Sequence, residues 1–228
     1  MNIGGFLPLS LIDFPGTPSA VVFTNGCNLR CPYCHNKTLA LGTAPSIPEE
    51  EIKKQLISLR GKVQGVVISG GEPTLQPDLF EFCKWCKDEG FKVKLDTNGK
   101  RLNAAVLEIV DYVALDLKHL FAVHPSCMSV PFPDFNFLAS HIRYDQMGEV
   151  RVTCVEPFIN EITLASFIEY FYQEEEDTDF PIYLQHCNVT PQILDPDFFA
   201  SGKGRAWTQD EINSFVERYG KTYNVKAR

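Results

Sequence analysis

Six short apolar runs alternate with segments of helical spacing, and this alternation restricts the fold more than any other feature of the chain. The runs are Ala20–Thr24, Gly65–Ser69, Phe91–Asp96, Tyr112–Leu117, Val150–Val155 and Ile182–Gln185. Each is rich in Val, Ile, Leu or Phe, as a strand buried on both faces should be. The spacing predicts helices over Pro48–Arg60, Pro77–Glu89, Asn103–Ile109, Phe135–Gln146 and Glu161–Glu175, with a last one over Thr208–Tyr219. Ser46-Ile47-Pro48-Glu49 reads as a helix start with Ser46 as N-cap, and Gly61 and Gly90 stand where helix stops are expected.

Strictly alternating strands and helices require a mostly parallel sheet with right-handed crossovers. Six repeats in 228 residues fall short of the eight-stranded barrel, which takes roughly 250 residues. The expected fold is therefore α/β: a single-domain, partial (β/α)6 TIM-like barrel. A doubly wound sheet is the alternative, because strand order is not readable from sequence. The domain is expected to span residues 1–228, with a core at about 18–190 and a C-terminal helix at about 208–219. Pro125–Pro133 reads as irregular, and Glu174-Glu175-Glu176-Asp177 as a solvated helix end.

The chain carries 29 acidic and 21 basic residues, a net charge of −8, which argues against nucleic acid as a partner. Its longest aliphatic or aromatic runs, such as Ala20–Phe23, fall far short of the roughly 20 residues of a membrane span. Met1–Ser10 has neither the basic nor the apolar region of a signal peptide, so a cytoplasmic location is expected. In that reducing setting the eight cysteines become informative, since clustered thiols there point to metal or redox chemistry.

Cys27, Cys31 and Cys34 form a CxxxCxxC motif directly after the first strand. Zinc would need a fourth ligand, for which His35 is placed. An iron–sulfur cluster can be held by three thiolates from one loop, leaving one iron open. Gly70-Gly71-Glu72-Pro73 is either a tight turn or a place where backbone approaches a ligand. In Asp96-Thr97-Asn98-Gly99 the carboxylate of Asp96 closes a buried strand and needs a partner, and Asp116-Leu117-Lys118 ends the next strand. Arg151 and Thr153 share a face with Glu149, so that face is either a solvated edge or the barrel interior. Gln185 and His186 end the sixth strand. Cys83 and Cys86 share one helix face, as packing residues would. Cys127, Cys154 and Cys187 are scattered, and His119 and His124 have no identifiable partner.

CxxxCxxC with Tyr33 before its last cysteine resembles the cluster-binding signature of radical S-adenosylmethionine (radical SAM) enzymes. His35-Asn36 is similar to the form found in activases of glycyl-radical enzymes. Gly4-Gly5-Phe6, Ser10–Gly16, Ile68–Gln76 and Lys94–Gly99 resemble the anaerobic ribonucleoside-triphosphate reductase activating proteins over roughly residues 1–118, and the match is loose beyond.

The resemblance implies a [4Fe-4S] cluster on Cys27, Cys31 and Cys34, with SAM chelated by its open iron and Tyr33 beside it. It implies that Gly70 and Gly71 meet the methionine amino group, Glu72 supports their loop, and Asp96, Asp116 and Lys118 belong to the SAM pocket. It places Arg151 toward the SAM carboxylate or ribose, and His186 near adenine or ribose. The implied activity is reductive cleavage of SAM to a 5′-deoxyadenosyl radical that takes hydrogen from a backbone glycine of a partner. Anaerobic ribonucleotide reductase is the preferred partner, and a flavodoxin- or ferredoxin-type protein the electron donor. The alternatives are a small-molecule radical SAM enzyme like 7-carboxy-7-deazaguanine synthase and a non-enzymatic zinc or electron-carrier module.

Overall fold

The computed structural model describes residues 1–120, 147–174 and 180–228. Strand β1 (Ile3–Ser10) precedes the six expected strands: β2 (Ser19–Thr24), β3 (Gly65–Gly70), β4 (Lys92–Thr97), β5 (Tyr112–Leu117), β6 (Met147–Thr153) and β8 (Ile182–Gln185). These six pair in parallel, in chain order. A doubly wound sheet would reverse direction at a switch point. The unreversed order is that of the partial (β/α)6 barrel.

The sequence reading missed both outer strands. β1 adds to β2 antiparallel, and β10 (Val225–Ala227) adds to β8 in parallel. Gly4, Gly5 and Pro8 hide β1 from a strand pattern, and an edge position is where a strand tolerates proline. A two-stranded ribbon, β7 (Val155–Glu156) with β9 (Arg205–Ala206), stands apart from the main sheet.

The described helices are α1 (Lys37–Leu41), α2 (Glu49–Ser58), α3 (Leu79–Asp88), α4 (Ala104–Ile109), α5 (Glu161–Glu174), α6 (Asp197–Ala200) and α7 (Gln209–Tyr219). Ser46 does not cap α2: Pro48 occupies the N-cap position, and Glu49, Glu50 and Glu51 supply first-turn negative charge instead. α7 begins with a full capping box between Thr208 and Glu211. The expected helix Phe135–Gln146, the stretch Pro125–Pro133, His124 and Cys127 lie outside the described residues, as does most of Glu174–Asp177. Among the described residues no helix is long and apolar enough to cross a membrane.

The strands present two different faces. Ala20, Val22, Val66, Ile68, Val93, Leu95, Val113, Leu115, Val150 and Val152 point to the helices and join Ile52, Leu56, Phe82 and Leu107 in the main core. The other face is apolar only in part: Val21, Val67, Ala114 and Tyr112 pack with Phe14, whose ring meets Tyr112 edge-on at 5.7 Å. Further along this inner face, β4, β5 and β6 contribute Lys94, Asp96, Asp116, Glu149 and Arg151.

Cys83 and Cys86 are fully buried in the main core, and burial pushes the Cys83 thiol up to about 12. Cys154 and Cys187 are also buried and free. We expect the double variant Cys83→Ala/Cys86→Ala to keep its full iron load while losing about 1–3 kcal/mol of stability. Iron assay and denaturant unfolding check this, and loss of iron would make the pair ligands.

Candidate active site

The loops that leave the C-terminal ends of β2, β3, β4 and β5 surround a cavity of about 220 Å³, at the end where parallel α/β barrels place their chemistry. Cys27, Cys31 and Cys34 line it from one side, and Asp96, Asn98, Asp116 and Lys118 from another. Burial pushes the Cys27 thiol up, opposed by the Leu29 N–H that donates to its Sγ at 3.3 Å.

The cysteine loop is clamped from several elements. The Tyr33 hydroxyl donates to the carbonyl of Lys118 at 2.9 Å, and its ring stands edge-on to Phe158. Thus Tyr33 ties the loop to the end of β5. From the far end of the chain, Leu194 N donates to the Cys34 carbonyl and Asp195 N to the Pro32 carbonyl, both at 2.9 Å. His35 Nε2 lies 2.6 Å from the Asn188 carbonyl, a contact that requires the proton on Nε2. That nitrogen is then not available as a zinc ligand. Among the described residues no three His, Cys, Asp or Glu groups converge at single-ion spacing. Three thiols spread over one shared cavity fit a polynuclear iron–sulfur cluster with one iron free of protein.

Gly70 and Gly71 line the cavity, and the structure gives them a second task. A Cβ on Gly71 would stand 2.1 Å from the Gly26 carbonyl oxygen; one on Gly70, at φ +114°, would stand 2.4 Å from Thr24 N. The pair therefore lets the β3 loop press against the backbone of the cysteine loop. Gly71 N donates to the Thr24 carbonyl at 2.9 Å and Glu72 N to the Gly26 carbonyl at 2.8 Å. The Glu72 carboxylate is buried, and burial pushes its pKa up. Thr74 donates to it from N and Oγ1, Thr97 Oγ1 at 2.7 Å, and Asn98 N at 2.8 Å. Asn98 Nδ2 continues to Asn28 Oδ1 at 2.8 Å. Glu72 thus joins the ends of β3 and β4, and Asn98 joins both to the cysteine loop.

Arg151 and Glu149 point into the barrel, so the solvated-edge reading falls. Arg151 also stands near the end of its strand rather than near its start, because β6 begins at Met147. Its guanidinium grips Asp116 through two bonds of 2.9 and 3.0 Å and reaches Asp96 at 3.3 Å and Glu149 at 3.8 Å. Burial alone would raise the Asp116 carboxyl, but Arg151 and Lys118 hold it below its usual range. With its donors spent on carboxylates, Arg151 is not among the cavity-lining residues; Lys118 is, with Nζ 3.4 Å from Asp116.

His186 is not brought to the cavity. It is exposed, and its Nδ1 lies 2.8 Å from the Trp207 carbonyl. Lys94, fully buried beside Asp96, was missed by the sequence reading, although two-residue alternation along β4 puts both on one face. We expect Gly71→Ala to displace the Gly26–Cys27 backbone, cost about 2 kcal/mol or more, and lower the iron bound after anaerobic reconstitution. An unchanged iron and sulfide content would mean the close approach is dispensable.

Residues 21–126 match the radical SAM superfamily. A Methanocaldococcus jannaschii protein provisionally named as a glycyl-radical enzyme activating enzyme, MJ1227, is 43% identical over 187 residues, covering 78% of this chain and 76% of that one. The pyruvate formate-lyase-activating enzyme of Clostridium pasteurianum is 38% identical over 120 residues, 49% of this chain. The pyruvate formate-lyase 1-activating enzyme of Escherichia coli K12 is 34% identical over 130 residues, 52% of this chain. Those two matches span only about half of each activating enzyme, 50% and 52%. Among solved structures, Streptococcus suis SuiB bound to precursor peptide SuiA aligns with 91% of this chain and 48% of its own (TM-score 0.63, 15% identity). TYW1 with a lysine-pyruvate adduct aligns with 90% of this chain and 74% of its own (TM-score 0.56, 16% identity). At these identities the likeness is one of fold. The chain belongs to the radical SAM glycyl-radical enzyme activating enzymes, a family that works with a [4Fe-4S] cluster and SAM.

Proposed function

We propose that Cys27, Cys31 and Cys34 hold the cluster, that SAM lies in the adjoining cavity, and that the enzyme installs a glycyl radical on an anaerobic ribonucleoside-triphosphate reductase. The observation that carries the site assignment is the placement of the three thiols across one cavity from Asp96, Asp116 and Lys118. When bound, cluster and SAM together supply the reductive cleavage that yields a 5′-deoxyadenosyl radical. The chain's own residues bind, orient and shield. Lys118 offers an ammonium to the SAM carboxylate. Asp96 offers an acceptor to the ligand's polar groups, and the backbone of Gly70 and Gly71 lines the cavity beside its methionine end. Leu29, Tyr33 and Ala40 supply buried surface at the cavity that keeps water away. A flavodoxin- or ferredoxin-type protein supplies the electron.

The motifs shared with the reductase-activating proteins support the choice of partner. The similarity to two pyruvate formate-lyase activating enzymes supports a second reading, in which the partner is a glycyl-radical lyase of that kind. The reconstituted protein is expected to bind about four irons, and Cys31→Ala to abolish both the cluster and SAM cleavage. With each partner offered separately under reducing, anaerobic conditions, a glycyl EPR signal should form with the reductase. A signal with the lyase alone would select the second reading, and turnover of a small molecule with no protein partner would overturn both.

A further inference from the structure

Lys94 is a fully buried lysine on the inner face of the barrel, and it is absent from the cavity lining. An ammonium in such a place must be paired. Its Nζ lies 2.6 Å from Asp96 Oδ1, 3.9 Å from Glu149 Oε1 and 5.5 Å from the centre of the Tyr112 ring. The other oxygen of Asp96 faces a different cation, Arg151 Nη2 at 3.3 Å. Each oxygen of the Asp96 carboxylate is thus held by its own cation, one fully buried and one largely so, while Asp96 itself reaches the cavity wall.

Glu149 secures the arrangement from below. It is fully buried, accepts from the Tyr112 hydroxyl at 3.0 Å and pairs with Arg228 at 3.2 Å. Lys94 is therefore shared between two carboxylates, Asp96 and Glu149. Arg151 is fixed as well, by its two bonds to Asp116.

We propose that Lys94 is a positioning residue for SAM, acting through Asp96: it fixes that carboxylate in one orientation where the ligand meets it. This rests on the reading that SAM occupies the cavity against Asp96. The competing view is an ion pair that supports the fold and nothing else.

A double-mutant cycle separates them. The measurement is equilibrium SAM binding to anaerobically reconstituted, unreduced enzyme, alongside iron content and melting temperature. Asp96→Asn and Lys94→Met should each weaken SAM binding by about tenfold to a hundredfold, the span of a buried charge-assisted hydrogen bond, with iron content retained. The double variant should bind no more weakly than Asp96→Asn alone, and Lys94→Arg should recover much of the loss. If Lys94→Met yields no folded protein, Lys94→Met/Glu149→Gln takes its place, since it strands no carboxylate opposite the lost ammonium. SAM binding within twofold of the parent in the Lys94 variant, with Asp96→Asn weakened, would overturn the proposal and leave the site assignment standing. Undiminished binding by Asp96→Asn would overturn the site assignment, and the proposal with it.

Discussion

Three carboxylates and three cations meet on the inner face of this barrel: Asp96, Asp116 and Glu149 against Lys94, Lys118 and Arg151. Lys94 and Glu149 are fully buried, at 0% and 1% exposure. None of these groups could be buried alone, since stripping a partner from a buried pair typically costs about 3–5 kcal/mol. The strands that carry them, β4, β5 and β6, are consequently tied in register by charge as well as by the backbone ladder. The other half of the interior is filled by Phe14, Val21, Val67 and Ala114 and makes no such demand. The barrel interior is thus apolar along β2, β3 and the start of β5, and ionic along β4, β6 and the end of β5. The cavity opens where both halves meet the cysteine loop.

Above that floor, the site depends on close approach between main chains. Gly70 and Gly71 bring the β3 loop within hydrogen-bonding distance of Thr24 and Gly26, and the Glu72 carboxylate then collects donors from its own loop and from the end of β4. Three separate connections, after β2, β3 and β4, behave as one unit. The thiols are placed by this unit rather than by their own short loop.

Much of this was legible in the sequence, for reasons that also mark where legibility stops. The six parallel strands announced themselves because strands covered on both faces are mostly apolar, and the cysteine spacing marked its loop as the place to look for metal or redox chemistry. β1 was invisible because an edge strand can accept Gly4, Gly5 and Pro8, which a central strand would reject. Alternation showed that Glu149, Arg151 and Thr153 share a face, but whether that face is interior is decided by how the sheet curls. Lys94 was overlooked because a lysine within an apolar run looks like a defect until Asp96 and Glu149 are seen beside it. The glycine pair was correctly located, yet the atoms it makes way for belong to residue 26, distant in sequence. His186 followed the right rule, a polar residue at a strand end, while the chain there turns it toward Trp207 and away from the cavity.

The segment after β8 rests on the cysteine loop, donating to the carbonyls of Pro32 and Cys34 and receiving His35 across a separation of 153 residues. This imposes an order on how the protein matures. A growing chain presents its three thiols early, but the surface that holds their loop in its final shape is made only when residues 188–195 arrive. Contacts so remote in sequence form late, because the entropy of closing the intervening loop must be overcome first. Until those residues are in place, the three thiols stand in an unfinished setting, more than 150 residues upstream of the segment that completes it.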